Sequence, residues 1–446
     1  MERDFLWGAA TSAYQIEGAA HEDGRGDSIW DRFCRLAGTI ADGSSGETAC
    51  DHYHRVRDDV ALMKTLGLQA YRFSISWPRV FPDGVGRVNQ AGLDYYRRLV
   101  DALREAGIRP FATLYHWDLP DALQDRWGGW LGRDTAKAFA QYASVVSAAL
   151  DGVDAWITLN EPWVSSWLGY GWGSHPPGYR SLDLGMQAAH HLLLAHGLAV
   201  PALRANAPSS EVGITLNFSP IASASDDPMD VQAARAADIN VNASFLGPLF
   251  GVGYDELVLQ PVSHVLLRRH ADDMPIIREP IDFLGVNYYT RFLLRHQAHG
   301  PNPFGEYVDV PGAQRTAMGW EVYPDGLYET LQRVHHISPG IKMYVTENGA
   351  AFPDILSADG HVHDPDRIAY LERHVAQVKR AMDDGMSIAG YFVWSLLDNF
   401  EWTEGYRPRF GIVYVDFQTQ RRIVKDSGWW YANLIRSASR TREGLR

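Results

Sequence analysis

Eight short runs of apolar and β-branched residues, set along 446 residues with amphipathic stretches between them, constrain the fold of this chain most. They lie near Phe5 to Ala10, Ala70 to Ser74, Arg109 to Leu114, Ala155 to Leu159, Val212 to Asn217, Phe283 to Asn287, Met343 to Thr346 and Ile388 to Trp394. Each reads as a strand buried on both faces, as parallel strands are when helices cover them. Two intervening stretches carry clear helical spacing. Leu93, Tyr96, Val100 and Leu103 follow an Asn89 N-cap and stop before Gly107; Ala138, Phe139, Tyr142 and Val146 follow Asp134, read as a second cap. Eight strands alternating with helices is the count of an α/β fold of the (β/α)8, or TIM barrel, type. Hydrophobic residues make up 46% of the chain, enough for a large core, and no linker, low-complexity tract or short repeat divides it. Residues 1–446 are therefore expected to form a single domain.

Seven of the eight runs are followed at once by polar or aromatic residues: Ser74, His116, Asn160-Glu161, Asn217, Asn287, Glu347 and Trp394-Ser395. One such residue would merely begin a loop. Seven would converge on one rim if the strands close, and the carboxyl ends of barrel strands are where such folds keep their chemistry. The longest connections, 11–54, 290–325 and 395–424, have the length of functional walls or lids. Two glutamates stand out on this rim, in Thr158-Leu159-Asn160-Glu161-Pro162 and Thr346-Glu347-Asn348-Gly349. A carboxylate at the end of a buried strand is costly to desolvate unless it is used or paired. Two of them match the acid/base and nucleophile of a glycosidase.

Composition excludes several other classes. The formal net charge of −13 disfavours nucleic acid and anionic membranes, which reward Lys/Arg clusters; it implies nothing about oligomeric state. Cys34 and Cys50 are the only cysteines and are expected as reduced thiols. Met1-Glu2-Arg3-Asp4 lacks the apolar core of a signal peptide, and no apolar run reaches the roughly 18 residues of a membrane helix. A soluble cytoplasmic protein is expected. The histidine pairs, Asp51-His52-Tyr53-His54, His190-His191, His335-His336 and His361-Val362-His363, have neither HExxH spacing nor a cysteine set, so no metal is expected. Gly169-Tyr170-Gly171-Trp172-Gly173 is glycine-rich, but Pro176 and Pro177 follow where a nucleotide-binding fold would open a helix.

The order and flanks of these motifs resemble the family-1 glycoside hydrolases, retaining β-glycosidases of the β-glucosidase type. The likeness runs from Phe5-Leu6-Trp7-Gly8-Ala9-Ala10-Thr11-Ser12-Ala13-Tyr14-Gln15-Ile16-Glu17-Gly18 through Tyr71-Arg72-Phe73-Ser74-Ile75-Ser76-Trp77-Pro78-Arg79 and Tyr115-His116-Trp117-Asp118. It continues through both glutamate motifs to Trp394-Ser395-Leu396-Leu397-Asp398-Asn399-Phe400-Glu401-Trp402. The resemblance implies Glu161 as general acid/base and Glu347 as nucleophile, with Arg72 and Tyr289 supporting the nucleophile. It implies sugar contacts from Gln15, His116, Asn160, Asn287, Tyr289, Glu401 and Trp402, with Trp394 as a platform under the ring. Trp163, Leu168, His175 and Trp320 match positions at the aglycone entrance. Asp51 to His54 matches a stretch with a structural role.

Physically, Glu161 must stay protonated to donate to the leaving oxygen. Raising a glutamate from about 4.3 to about 6 costs roughly 2 kcal/mol, for which the charge of Glu347 and partial burial are the obvious sources. Relatives acting on 6-phosphorylated sugars replace the Glu-Trp pair that Glu401-Trp402 keeps here, and a carboxylate would repel a 6-phosphate. Plant thioglucosidases carry Gln at the acid position, so Glu161 points to ordinary O-glycosides. The expected activity is cofactor-free hydrolysis of β-glucosides, including cello-oligosaccharides, with some tolerance for galactosides or fucosides. A transglycosylase sharing the intermediate and a non-catalytic sugar-binding barrel are the alternatives.

Overall fold

Eight parallel strands close into a barrel in the computed structural model, which describes residues 5–257, 270–298, 302 and 304–443. They are β1 (Leu6–Ala10), β2 (Ala70–Ser74), β3 (Arg109–Tyr115), β4 (Ala155–Asn160), β5 (Glu211–Phe218), β6 (Phe283–Tyr288), β7 (Lys342–Asn348) and β8 (Ile388–Trp394). Neighbours in sequence are neighbours in the sheet, and β1 pairs with β8 to complete the ring. All eight expected strands are found, with ends shifted by no more than two residues. The reading of Met1 to Asp4 lies outside the described residues, as do residues 299–301 and 303 of the long 290–325 connection.

Side chains of alternate strand residues fill the barrel interior. Phe111, Phe283, Tyr344 and Phe392 meet at centroid distances of 4.9–5.2 Å, mostly edge to face. Gly8 is required by this packing, since a Cβ there would lie 2.5 Å from Phe392 Cδ1. Around the barrel, helices bury their apolar faces against the outer strand surface. In the helix Gln90–Glu105 those are Leu93, Tyr96, Leu99, Val100 and Leu103. Asn89 does occupy its N-cap position, but its amide donates to the carbonyls of Asp23 and Arg79 instead of capping. Asp134 is not a cap. The helix Arg133–Ala149 starts from Gly132, which leaves Asp134 in the first turn beside Lys137, where a carboxylate still favours the helix dipole.

The long connections collect at the carboxyl ends of the strands. Part of the connection after β6, Phe292–Arg295 and Glu306–Val308, joins Ile221–Ser223 from the connection after β5 in a three-stranded sheet, and the connection after β8 forms a hairpin, Val413–Asp416 with Arg421–Val424. The glycine-rich stretch set aside as a nucleotide loop is largely a wide, π-type helix, Val164–Gly171. Cys34 and Cys50 are free thiols, and His52 is tied to the buried Asp59 at 2.7 Å. Among the described residues no helix is long and apolar enough to cross a membrane.

Candidate active site

The strand register changes where the chemistry-bearing residues stand. β7 slips against β6 between Val345 and Glu347, and β4 slips against β5 between Ile157 and Asn160. Such irregularities re-aim side chains that a regular strand would send to alternate faces. Glu161 follows β4 with a φ of 48°, and Trp117 and Trp402 also have positive φ, at 78° and 50°. Non-glycine residues held in that region are strained, and here all three gather around one cavity.

That cavity has a volume of about 340 Å³ at the carboxyl end of the barrel. Glu161 and Glu347 both line it, buried to 6% and 3% exposure. The two carboxyls have unlike neighbours. Glu347 Oε1 accepts from Arg72 Nη1 at 2.5 Å and its Oε2 accepts from the Tyr289 hydroxyl at 2.6 Å. Arg72 is itself fully buried and also donates to Asn160 Oδ1 at 2.6 Å and to the Thr346 carbonyl at 3.2 Å. Among the described residues Glu161 forms no ion pair; its Oε1 accepts from Asn287 Nδ2 at 2.6 Å. Burial first, then the charge of Glu347, push the Glu161 carboxyl up to about 8, against the opposing pull of Asn287 and Arg72. Burial thus outranks the neighbouring charge as the source of the shift.

Around this pair, Asn287 and Asn160 form a bridge. Asn287 donates to both Glu161 Oε1 and Asn160 Oδ1, and accepts from the Thr346 hydroxyl at 2.7 Å. His116 Nε2 lies 3.1 Å from Asn160 Nδ2, and burial beside Arg72 holds the imidazole well below its usual range, so it is neutral. An acceptor Nε2 and a donor amide then pair. Trp394 and Trp402 flank the His116 ring at centroid distances of 5.8 and 5.9 Å, nearly parallel to it. Glu401 lines the same cavity; burial, then Glu347 and Glu404, push its carboxyl up to about 8.

Of the residues expected here, Glu161, Glu347, His116, Asn287, Tyr289, Trp394, Glu401 and Trp402 line the cavity, as do Trp163, Leu168, His175 and Trp320. Three expected residues stand one layer behind. Arg72 and Asn160 are completely buried in the bridge just described. Gln15 accepts from Ser12 Oγ at 2.6 Å and donates to Asn399 Oδ1 and the Phe400 carbonyl, which leaves it holding the loop that presents Glu401. Among the lining residues that sequence reasoning missed are Trp117, Trp172, Phe218, Val241, Phe292, Tyr307, Met318 and Phe410. Trp172 lay in the glycine-rich stretch and Trp117 in the His116 motif; the others carry no local signal, because loops from distant parts of the chain bring them together.

Comparison with known proteins fits this arrangement. The sequence matches the family model described as Glycosyl hydrolase family 1 over residues 1–440. The chain belongs to glycosyl hydrolase family 1. As a member of it, the protein is an O-glycosyl hydrolase. Family members close to it include a "Beta-glucosidase A" of Thermotoga maritima, 48% identical over 97% of each chain. A "Bifunctional beta-D-glucosidase/beta-D-fucosidase" of Bifidobacterium breve is 44% identical, again over 97% of both. Among solved structures, a β-glucosidase from Thermotoga maritima in complex with glucoimidazole superposes with a TM-score of 0.94 at 47% identity, covering 98% of both chains.

Proposed function

We propose that the protein is a retaining β-glucosidase. It releases terminal, non-reducing β-D-glucosyl residues from non-phosphorylated O-glycosides, cello-oligosaccharides among them, which places it in the last steps of cellulose breakdown. What carries this reading is the opposed surroundings of the two glutamates. Glu347 is held by a guanidinium and a phenol, which favour a carboxylate able to attack. Glu161 is buried with only an amide donor, which favours the protonated acid.

In the first step Glu161 gives its proton to the glycosidic oxygen while Glu347 attacks the anomeric carbon; the aglycone leaves as an alcohol and a glycosyl ester forms on Glu347. That ester carries no charge. The source of coulombic pressure on Glu161 is then removed, and the carboxylate can take a proton from water as water displaces Glu347. Trp394, Glu401 and Trp402 would receive the sugar, and a 6-phosphate would meet the Glu401 carboxyl. Family resemblance to the Bifidobacterium breve enzyme supports some tolerance for β-fucosides. The free thiols Cys34 and Cys50 fit a reducing compartment, and a cytoplasmic location belongs to the proposal.

Proton NMR of an aryl β-D-glucoside during hydrolysis tests the mechanism directly. Early appearance of β-glucose, before mutarotation, is expected. Early α-glucose would mean inversion, and Glu347 would then activate water instead of attacking the sugar. Glycosides of the acceptor as the main products would favour a transglycosylase.

A further inference from the structure

A second cluster of buried ionisable groups lies behind the loop that carries His116, away from the cavity wall. Arg79 Nε donates to Glu17 Oε2 at 3.0 Å and Arg25 Nη2 to Asp31 Oδ2 at 2.9 Å, all four side chains being nearly inaccessible. The Tyr96 hydroxyl donates to the other Glu17 oxygen at 2.7 Å. Each arginine is thus matched by a carboxylate of its own. Asp118 is the remaining carboxyl, and it is completely buried. The hydrogen-bonding groups that face it are the Ser76 hydroxyl, just beyond β2, and its own backbone N–H, so the carboxyl ties the loop to the end of that strand. Arg25 attracts its charge and Glu17 repels it, and that charge would be felt at the buried phenols of Tyr115 and Tyr142. Two cations against Glu17, Asp31 and Asp118 balance only when Asp118 is neutral.

The loop around Asp118 is anchored on both sides. Before it, Trp117 Nε1 donates to the Asn160 carbonyl at 3.1 Å and its ring packs 4.5 Å from Trp402. After it, Leu119 accepts from Ile29 N, and Asp121 N donates to the Asp27 carbonyl, both at 2.9 Å. We infer that Asp118 is a positioning residue that works as the uncharged acid, holding this loop so that His116 and Trp117 keep their places in the cavity. The inference rests on the β-glucosidase reading of that cavity. Burial pushes the Asp118 carboxyl up to about 8, with Ser76 and Arg25 opposing and Glu17 adding to the rise. Ionisation would leave an uncompensated charge in the core, relieved only by moving the loop and with it the two rings.

The test compares wild type, Asp118→Asn and Asp118→Ala on an aryl β-glucoside between pH 6 and 9.5. The neutral isostere Asp118→Asn is expected to keep KM within about twofold at pH 7, whereas Asp118→Ala raises KM about tenfold with a smaller change in kcat. Above about pH 8 the wild-type KM should climb more steeply than that of Asp118→Asn, which keeps only the change that Glu401 contributes to both. An Asp118→Asn enzyme as impaired as Asp118→Ala, or a KM rising in parallel in wild type and Asp118→Asn, would overturn the inference. If Asp118→Ala does not fold, the Asp118→Asn profile decides. Wild type inactive on every β-glucoside would strike the functional reading instead. Thermal unfolding then decides the protonation state: Asp118→Asn should melt above wild type at pH 9, and equal melting there would refute a neutral Asp118.

Discussion

Tyr289 donates its hydroxyl to Glu347 Oε2 at 2.6 Å, on the opposite carboxylate oxygen from Arg72. Burial and the Glu347 charge hold the phenol well above its usual range, so it remains a donor throughout. One neutral and one cationic donor therefore fix the rotation of the Glu347 carboxyl, the orientation that attack on an anomeric carbon requires.

Removing the phenol hydroxyl should show its worth. Tyr289→Phe deletes a hydrogen bond to a charged group, worth about 1.5–3 kcal/mol, so kcat/KM should fall about 10- to 100-fold. The ring keeps its packing against Trp320 and Phe410, so far-UV circular dichroism and the melting temperature should stay close to wild type. An unchanged kcat/KM would mean that Arg72 alone orients Glu347.

The two glutamates should respond differently to leaving-group chemistry. Glu347→Ala is expected to lose nearly all turnover on every substrate while still folding and binding glucose. Glu161→Ala should lose about 10²–10⁴-fold on an alkyl glucoside but much less in the glycosylation step of a dinitrophenyl glucoside, which needs no proton. Pre-steady-state release of dinitrophenolate reads that step, and equal losses on both substrates would contradict the acid role.

Activity should have an alkaline limb. Glu161 must be protonated, and its carboxyl is pushed up to about 8, so kcat/KM should fall as pH rises through that value. Glu401 is raised to the same region, and the observed limb belongs to both groups. A dinitrophenyl glucoside separates them: its limb should lose the Glu161 component and keep whatever Glu401 contributes. A limb starting near pH 5 would show that burial does not protect the acid.

Keeping an acid neutral in the core also costs stability at high pH. The Glu161 carboxyl is raised in the folded state, so its favourable contribution is complete below its ordinary value of 4.5 and is lost as pH rises to about 8. Glu161→Gln cannot ionise. Its melting temperature should therefore approach that of wild type near pH 5 and exceed it by a growing margin up to pH 8.5, measured by calorimetry. A constant difference across that range would place the wild-type titration elsewhere.

The barrel was legible because eight buried parallel strands need continuous apolar runs, and a run such as Ala155 to Leu159 is visible without any partner. The two glutamates were legible for a related reason: a carboxylate directly after such a run must end on the rim. Local chemistry served less well where the backbone had competing uses. Asp134 resembled a cap, but the turn at Gly132 starts its helix two residues earlier. Gln15, expected among the sugar contacts, also bonds Ser12, Asn399 and Phe400, partners up to 385 residues away that no local pattern announces.

By itself, then, the sequence determined the order of strands, the rim on which polar residues gather and the two glutamates that stand on it, because each follows from short-range patterns of polarity. The tertiary structure alone decided what those carboxyls experience. Arg72 on β2 and Tyr289 just after β6 converge on one side of the site, and Asn287 with the surrounding burial on the other. Solvation and field at a point depend on everything within several ångströms of it, and only ring closure brings strands 2, 4, 6 and 7 that close.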